Sequence, residues 1–122
     1  MKLFCRMIFA SLRFLVFSAN LYAQLPGRYT RYSQALQTLS DLATNNPSIC
    51  KLDTMGYSTR DSVAMLRFKI SDNVQSDEDE PAVFFCGGVH ADEVLGVEVV
   101  MWFIQNIVNR YNNGDTIAIN FV

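Results

Sequence analysis

The order of hydrophobic patterns along this chain predicts an α/β fold. Leucines recur at helical spacing between residues 33 and 44, strand-like runs follow at 49–57, 63–71 and 81–89, and an amphipathic helical pattern begins beyond a Gly-Gly pair. An apolar strand that ends in glycines and feeds a helix is the arrangement at which α/β sheets place their active sites.

Each element has a local cause. Leu36, Leu39, Leu42 and Ala43 share one helical face from about Ser33 to Thr44, and Pro47 bars continuation. Ile49 to Tyr57 and Val63 to Ser71 read as strands joined by a polar turn from Ser58 to Ser62. Ser76 to Glu80 is the one charge block; it reads as a solvated connection and lacks the spacing of an EF-hand. Pro81 to Val89, rich in Val and Phe, reads as a buried strand, and Gly87-Gly88 lets the backbone turn at its end. Val94, Val97, Met101, Ile104 and Val108 then form one stripe, widened by Val100, Phe103 and Ile107. Glu98, Gln105, Asn109 and Asn112 face elsewhere, so this helix packs by one side, with Met101 and Trp102 as packing residues.

A chain of 122 residues with 50% hydrophobic side chains has material for one small domain at most. The formal net charge is -2, and the basic residues are few and scattered, without a patch or interleaved aromatics. Nucleic acid is therefore not an expected partner. Residues 1–23 read as an export signal: Lys2, Arg6 and Arg13 are the only charges, Phe14 to Phe17 is apolar, and Ala19 and Ala23 offer small residues for cleavage before Gln24. Arg13 interrupts the apolar run, which falls short of the roughly 20 residues of a stable membrane span. The expected mature protein, residues 24–122, carries seven basic against twelve acidic residues and is secreted or periplasmic. It retains Cys50 and Cys86, whose spacing suits no zinc knuckle. An oxidising compartment would allow the two to pair; the favoured reading is that Cys86, in the expected strand, is a free buried thiol that packs like a small hydrophobe.

The chemistry-bearing segment is Gly87-Gly88-Val89-His90-Ala91-Asp92-Glu93, which contains the chain's only histidine. His90 and Glu93 stand at i and i+3 across the expected helix start, a separation that turns both side chains the same way. An imidazole nitrogen and a carboxylate are two of the three protein ligands that a catalytic zinc ordinarily takes. On spacing alone a hydrogen-bonded histidine near a helix start is the commoner case, and the Gly-Gly turn, the apolar run before it and the helix behind it favour a site. Asp92, between them, points to another side and suits the positive end of the helix dipole.

Beyond these local signals, the order of segments resembles the N-terminal part of the zinc metallocarboxypeptidases, of the carboxypeptidase A, B and T and carboxypeptidase N and E types. Tyr29 and Tyr32 open the first helix, and Asn46-Pro47-Ser48-Ile49-Cys50-Lys51-Leu52 follows. Gly56-Tyr57-Ser58 comes next, then Lys69-Ile70-Ser71-Asp72-Asn73-Val74 with Asp77-Glu78-Asp79-Glu80-Pro81, and His90-Ala91-Asp92-Glu93 with its helix and Tyr111-Asn112. The resemblance covers roughly Arg28 to Val122. It implies a partial carboxypeptidase-like domain, a mixed β-sheet with packed helices, whose C-terminal part lies outside this chain. It assigns His90 and Glu93 as the first two zinc ligands and gives Asp92 no catalytic role.

Two departures from the family pattern stand out. Counting back from Lys69-Ile70-Ser71, Ser62 and Val63 occupy the places of a Gly-Arg dipeptide, and Arg60 is offset from it. The family's third ligand, a histidine, its substrate-carboxylate arginine and its general-base glutamate would fall beyond Val122, so no residue of this chain is assigned as the catalytic acid or base. The function implied is zinc-dependent removal of C-terminal residues from peptides or proteins, with the 122 residues inactive alone. The alternatives are a related zinc amidohydrolase acting on amino-acid or cell-wall peptide amides, and a non-catalytic exported binding module on the same scaffold.

Overall fold

A computed structural model describes residue 27, residues 29–90 and residues 92–122. The expected export signal, residues 1–23, lies outside the described residues. Among the described residues no helix is long and apolar enough to cross a membrane.

Helix α1 spans Tyr32–Asn45. Its entry is secured by the Gln34 side-chain oxygen, which accepts a hydrogen bond from the Arg31 N–H at 2.8 Å and satisfies a group that a helix start leaves open. At the other end the Asn46 amide donates to the Leu42 carbonyl at 2.9 Å, and Pro47 follows. Strands β1 (Cys50–Tyr57) and β2 (Ala64–Ile70) form an antiparallel pair in which Cys50 faces Ile70 and Leu52 faces Phe68. The register slips between Thr54 and Gly56, an irregularity of the kind one extra residue produces.

The turn between the strands is closed by reciprocal hydrogen bonds. The Ser58 N–H donates to the Val63 carbonyl at 2.8 Å, and the Val63 N–H donates back to Ser58 Oγ at 3.0 Å. Within that closure Ser62 takes a φ of 51°, the left-handed region that glycine enters without steric cost. Ser62 thus occupies a backbone conformation that glycine adopts more readily.

Helix α2 runs Val94–Asn112, and α3 is the short Thr116–Phe121. Gly114, at φ 74°, turns the chain out of α2, and Asp115 caps α3 by accepting from the N–H groups of Ile117 and Ala118 at 2.9 and 3.2 Å. Arg110 donates twice to the same Asp115 carboxylate, at 3.0 and 2.9 Å, which ties the last turn of α2 to the start of α3. α3 has a readable cap in Gly114-Asp115 but is too short to show a hydrophobic period.

Both long helices pack against one face of the hairpin. Ala35 and Leu39 of α1 meet Met101 and Ile104 of α2 over Leu52, Leu66 and Phe68. Ile49, Cys50, Ile107, Val108 and Ala118 close the core at the other end. The expected helices at 33–44 and from Val94, and the strands at 49–57 and 63–71, are all present. Helices on a sheet is the coarse α/β architecture expected. Among the described residues the sheet consists of β1 and β2, so a mixed sheet would require strands besides these two.

Three expectations of burial are corrected. Pro81–Val89 is not a buried strand: it has no sheet partner among the described residues, and Phe84 is 77% exposed. A strand requires a neighbour for its backbone groups as well as apolar side chains. Cys86, carried by that segment, is exposed, while Cys50 is buried, and both thiols are free. Trp102 is 64% exposed and is not a packing residue among the described residues.

Candidate metal-binding turn

The segment that leads to His90 is held on α2 by aromatic and backbone contacts. The Phe85 ring lies 4.7 Å from that of Phe103, which in turn meets Phe121 edge-on at 5.7 Å. Two residues on, the chain crosses α2 at Gly96. A Cβ on Gly87 would stand 2.6 Å from the Gly96 carbonyl oxygen, closer than real Cβ contacts allow. Gly88 has φ 74°, and a Cβ there would stand 2.9 Å from Val97 Cγ2. The Gly-Gly pair therefore permits a close approach at the first position and a left-handed turn at the second. On the helix side the approach is to the backbone of Gly96, where an added Cβ would make ordinary contacts of 3.6 and 3.7 Å.

This approach delivers His90 to the mouth of α2. The His90 carbonyl accepts from the Glu93 N–H at 3.1 Å, and the Glu93 carbonyl accepts from the Gly96 N–H at 3.2 Å. The i, i+3 relation is thus realised as a hydrogen-bonded turn immediately before the helix, which begins at Val94 with Glu93 as its N-cap. Glu93 makes no side-chain capping bond, although its position would allow one. Both His90 and Glu93 are exposed, and neither side chain makes a hydrogen bond or ion pair among the described residues. The turn thus holds one imidazole and one carboxylate with free donor atoms. Asp92 is exposed beside the helix start, and no acidic residue occurs in the first turn of α2.

The donor set suits zinc, which takes imidazole nitrogen and carboxylate oxygen at borderline softness. It supplies two positions. Among the described residues, no group of three potential ligands includes His90. The carboxylates of Asp72, Glu78 and Glu80 lie within 4.8 Å of one another, all on exposed residues. The acidic run is exposed, as expected of a solvated connection, and Asp72 approaches it from outside the run.

Comparison with known proteins reaches the same segment. The family model described as zinc carboxypeptidase matches residues 35–120, which include the hairpin, the Gly-Gly crossing, His90, Glu93 and α2. A protein named zinc carboxypeptidase, from Saccharothrix mutabilis subsp. capreolus, is 34% identical over 97 residues. That match takes in 75% of this chain and 22% of the relative, so the chain spans well under a third of the relative's length.

Proposed function

We propose, on the premise that this chain belongs to the zinc carboxypeptidase family, that His90 and Glu93 are two ligands of a catalytic zinc in an enzyme that removes C-terminal residues from peptides. The observation that carries the assignment is the turn itself. Its only imidazole and its N-cap carboxylate lie in one hydrogen-bonded turn, inside the matched region, with neither side chain otherwise engaged among the described residues.

A zinc bound at this turn would supply Lewis acidity toward a scissile carbonyl and lower the pKa of a water molecule. The chain's own contribution is positional. Gly87 and Gly88 bring His90 against the start of α2, and the His90–Glu93 backbone bond keeps the imidazole and the carboxylate on one short loop. Glu93, free of capping, keeps its carboxylate lone pairs for a cation and supplies the negative charge that favours one. Asp92 stays outside the ligand set and contributes through the helix dipole.

With two ligands the chain would hold zinc weakly, because the cation keeps most of its water and must be stripped of the rest to enter. We infer that these 122 residues by themselves release no C-terminal residues, and that peptide or protein C-termini are substrates of the family-length enzyme. Residues 1–23 would be removed on export, leaving Gln24 as the first residue of a secreted or periplasmic protein. Mass spectrometry of the exported protein would show this N-terminus; an intact Met1 on protein confined to the cytoplasm would contradict export.

The test of the site is zinc binding by residues 24–122, followed by competition with a chromogenic chelator. The proposal expects one weak zinc per chain, lost in His90→Ala. Binding of equal strength in that variant would contradict it.

A further inference from the structure

Glu98 is the only carboxylate within α2, and it is engaged across the fold. One of its oxygens accepts the Thr30 backbone N–H, and the other accepts the Thr30 hydroxyl at 3.1 Å, over a separation of 68 residues. Hydrogen bonds to an ionised acceptor are about twice as strong as neutral ones. Two donors from one residue onto the two oxygens of one carboxylate also fix its orientation. Thr30 stands just before α1, which begins at Tyr32, while Glu98 lies about one turn into α2. The pair therefore joins the entry of one helix to the end of the other that carries the candidate metal-binding turn.

The same stretch of α2 is gripped on its far side. Gly87 and Gly88 press on Gly96 and Val97, and Gly96 and Glu98 lie about 200° apart around a helix of 3.6 residues per turn. The helix is thus held from more than one direction around its axis. We propose that Glu98 is a positioning residue for the His90–Glu93 turn: its clamp on Thr30 sets the rotation of α2, and with it the direction in which Glu93 leaves the helix start. The metal consequence of this inference rests on the function proposed above; the positional consequence does not.

Amide exchange and zinc binding read the two consequences separately. Glu98→Ala is compared with Tyr32→Phe, which removes a different long-range bond, from the Tyr32 hydroxyl to the Ala64 carbonyl at 3.0 Å, and touches neither α2 nor the turn. Exchange is measured at the Glu93 and Gly96 amides, under conditions that give the two variants equal global stability. Glu98→Ala should speed exchange at both amides by roughly tenfold over Tyr32→Phe, as local opening does. Glu98→Gln, which keeps an acceptor for Thr30, should restore most of the protection. Where wild-type protein binds zinc through His90, Glu98→Ala should weaken that binding by about tenfold to a hundredfold, the usual cost of losing a group that orients a ligand. If Glu98→Ala does not fold, Thr30→Val removes the hydroxyl bond alone and should show the same pattern at smaller amplitude. Exchange at Glu93 and Gly96 no faster than in Tyr32→Phe overturns the proposal. Zinc binding absent from wild type would count against the proposed function, and the exchange result would still decide the role of Glu98.

Discussion

Gly87 lies so close to the backbone of Gly96 that it has no room for a side chain of its own. A Cβ added to Gly87 would meet the Gly96 carbonyl oxygen at 2.6 Å and its carbon at 2.9 Å. That contact fixes where the chain crosses α2 three residues before His90, and so where the imidazole stands relative to Glu93.

Gly87→Ala should therefore do more than destabilise. The obstructing atoms are helix backbone, which does not swing aside, so the crossing segment must lift. A loss of about 1–3 kcal/mol, the usual cost of overpacking, is expected by denaturant titration. His90-dependent zinc binding should fall with it in the fraction that remains folded. Unchanged stability together with unchanged zinc binding would show that the crossing does not position the turn.

Ser62 provides the opposite case. It holds φ 51°, where a residue with a Cβ is strained. Ser62→Gly should stabilise the hairpin by roughly 1 kcal/mol, the strain relieved being partly offset by the greater freedom of glycine in the unfolded chain. A rise in thermal midpoint is the expected reading. A fall would mean that the serine makes a contribution outweighing its backbone strain.

Much of this architecture was legible because its causes are local. The spacing of Leu36, Leu39 and Leu42 and the block at Pro47 define α1, and the stripe from Val94 to Val108 defines α2. The His90–Glu93 turn could be read in the same way, from two glycines before it and a helical period after it. Strand identity at 81–89 could not, because a strand is a relation between segments and Val83, Phe84 and Phe85 declare only their own apolarity. Exposure of Cys86 and Trp102 escaped for the same reason: burial depends on what covers a residue. The clamp of Thr30 on Glu98 joins residues 68 positions apart and leaves no local pattern at either end.

The two thiols should differ sharply in reactivity. Burial pushes the Cys50 thiol up to about 11, whereas Cys86 is exposed. Iodoacetamide at neutral pH should label Cys86 alone in folded residues 24–122 and both cysteines after denaturation, because the thiolate is the reacting species. Fast labelling of Cys50 in the native protein would contradict its place in the core. The same shift bears on alkaline stability. The unfolded thiol ionises near 9.0 and the folded one near 11, so stability is unaffected below pH 9 and declines between those values.

Acid stability should depend on Asp115. The Arg110 side chain and, after it, the Ala118 N–H hold its carboxyl below the ordinary 3.8. A folded pKa below the unfolded one means that the contribution is present above the unfolded value and lost as pH falls through the folded one. Asp53, held down chiefly by its hydrogen bond from Arg67, acts in the same sense. Stability should thus decline as pH falls below about 4, and Asp115→Asn should be less stable at neutral pH but lose less on acidification. An identical acid profile in the variant would contradict this role.

Zinc binding across a set of turn variants tests the central claim most directly. Residues 24–122 are titrated with zinc alone, and occupancy is read by elemental analysis and chelator competition. His90→Ala should abolish specific binding, because a methyl group offers no lone pair. Glu93→Gln keeps the shape but removes the charge, and should weaken binding strongly. Asp92→Asn should bind as the parent does, since Asp92 acts only through a dipole effect of about 0.3–1 kcal/mol. Equal zinc occupancy in the parent and in His90→Ala would contradict the assignment of the turn as a metal site.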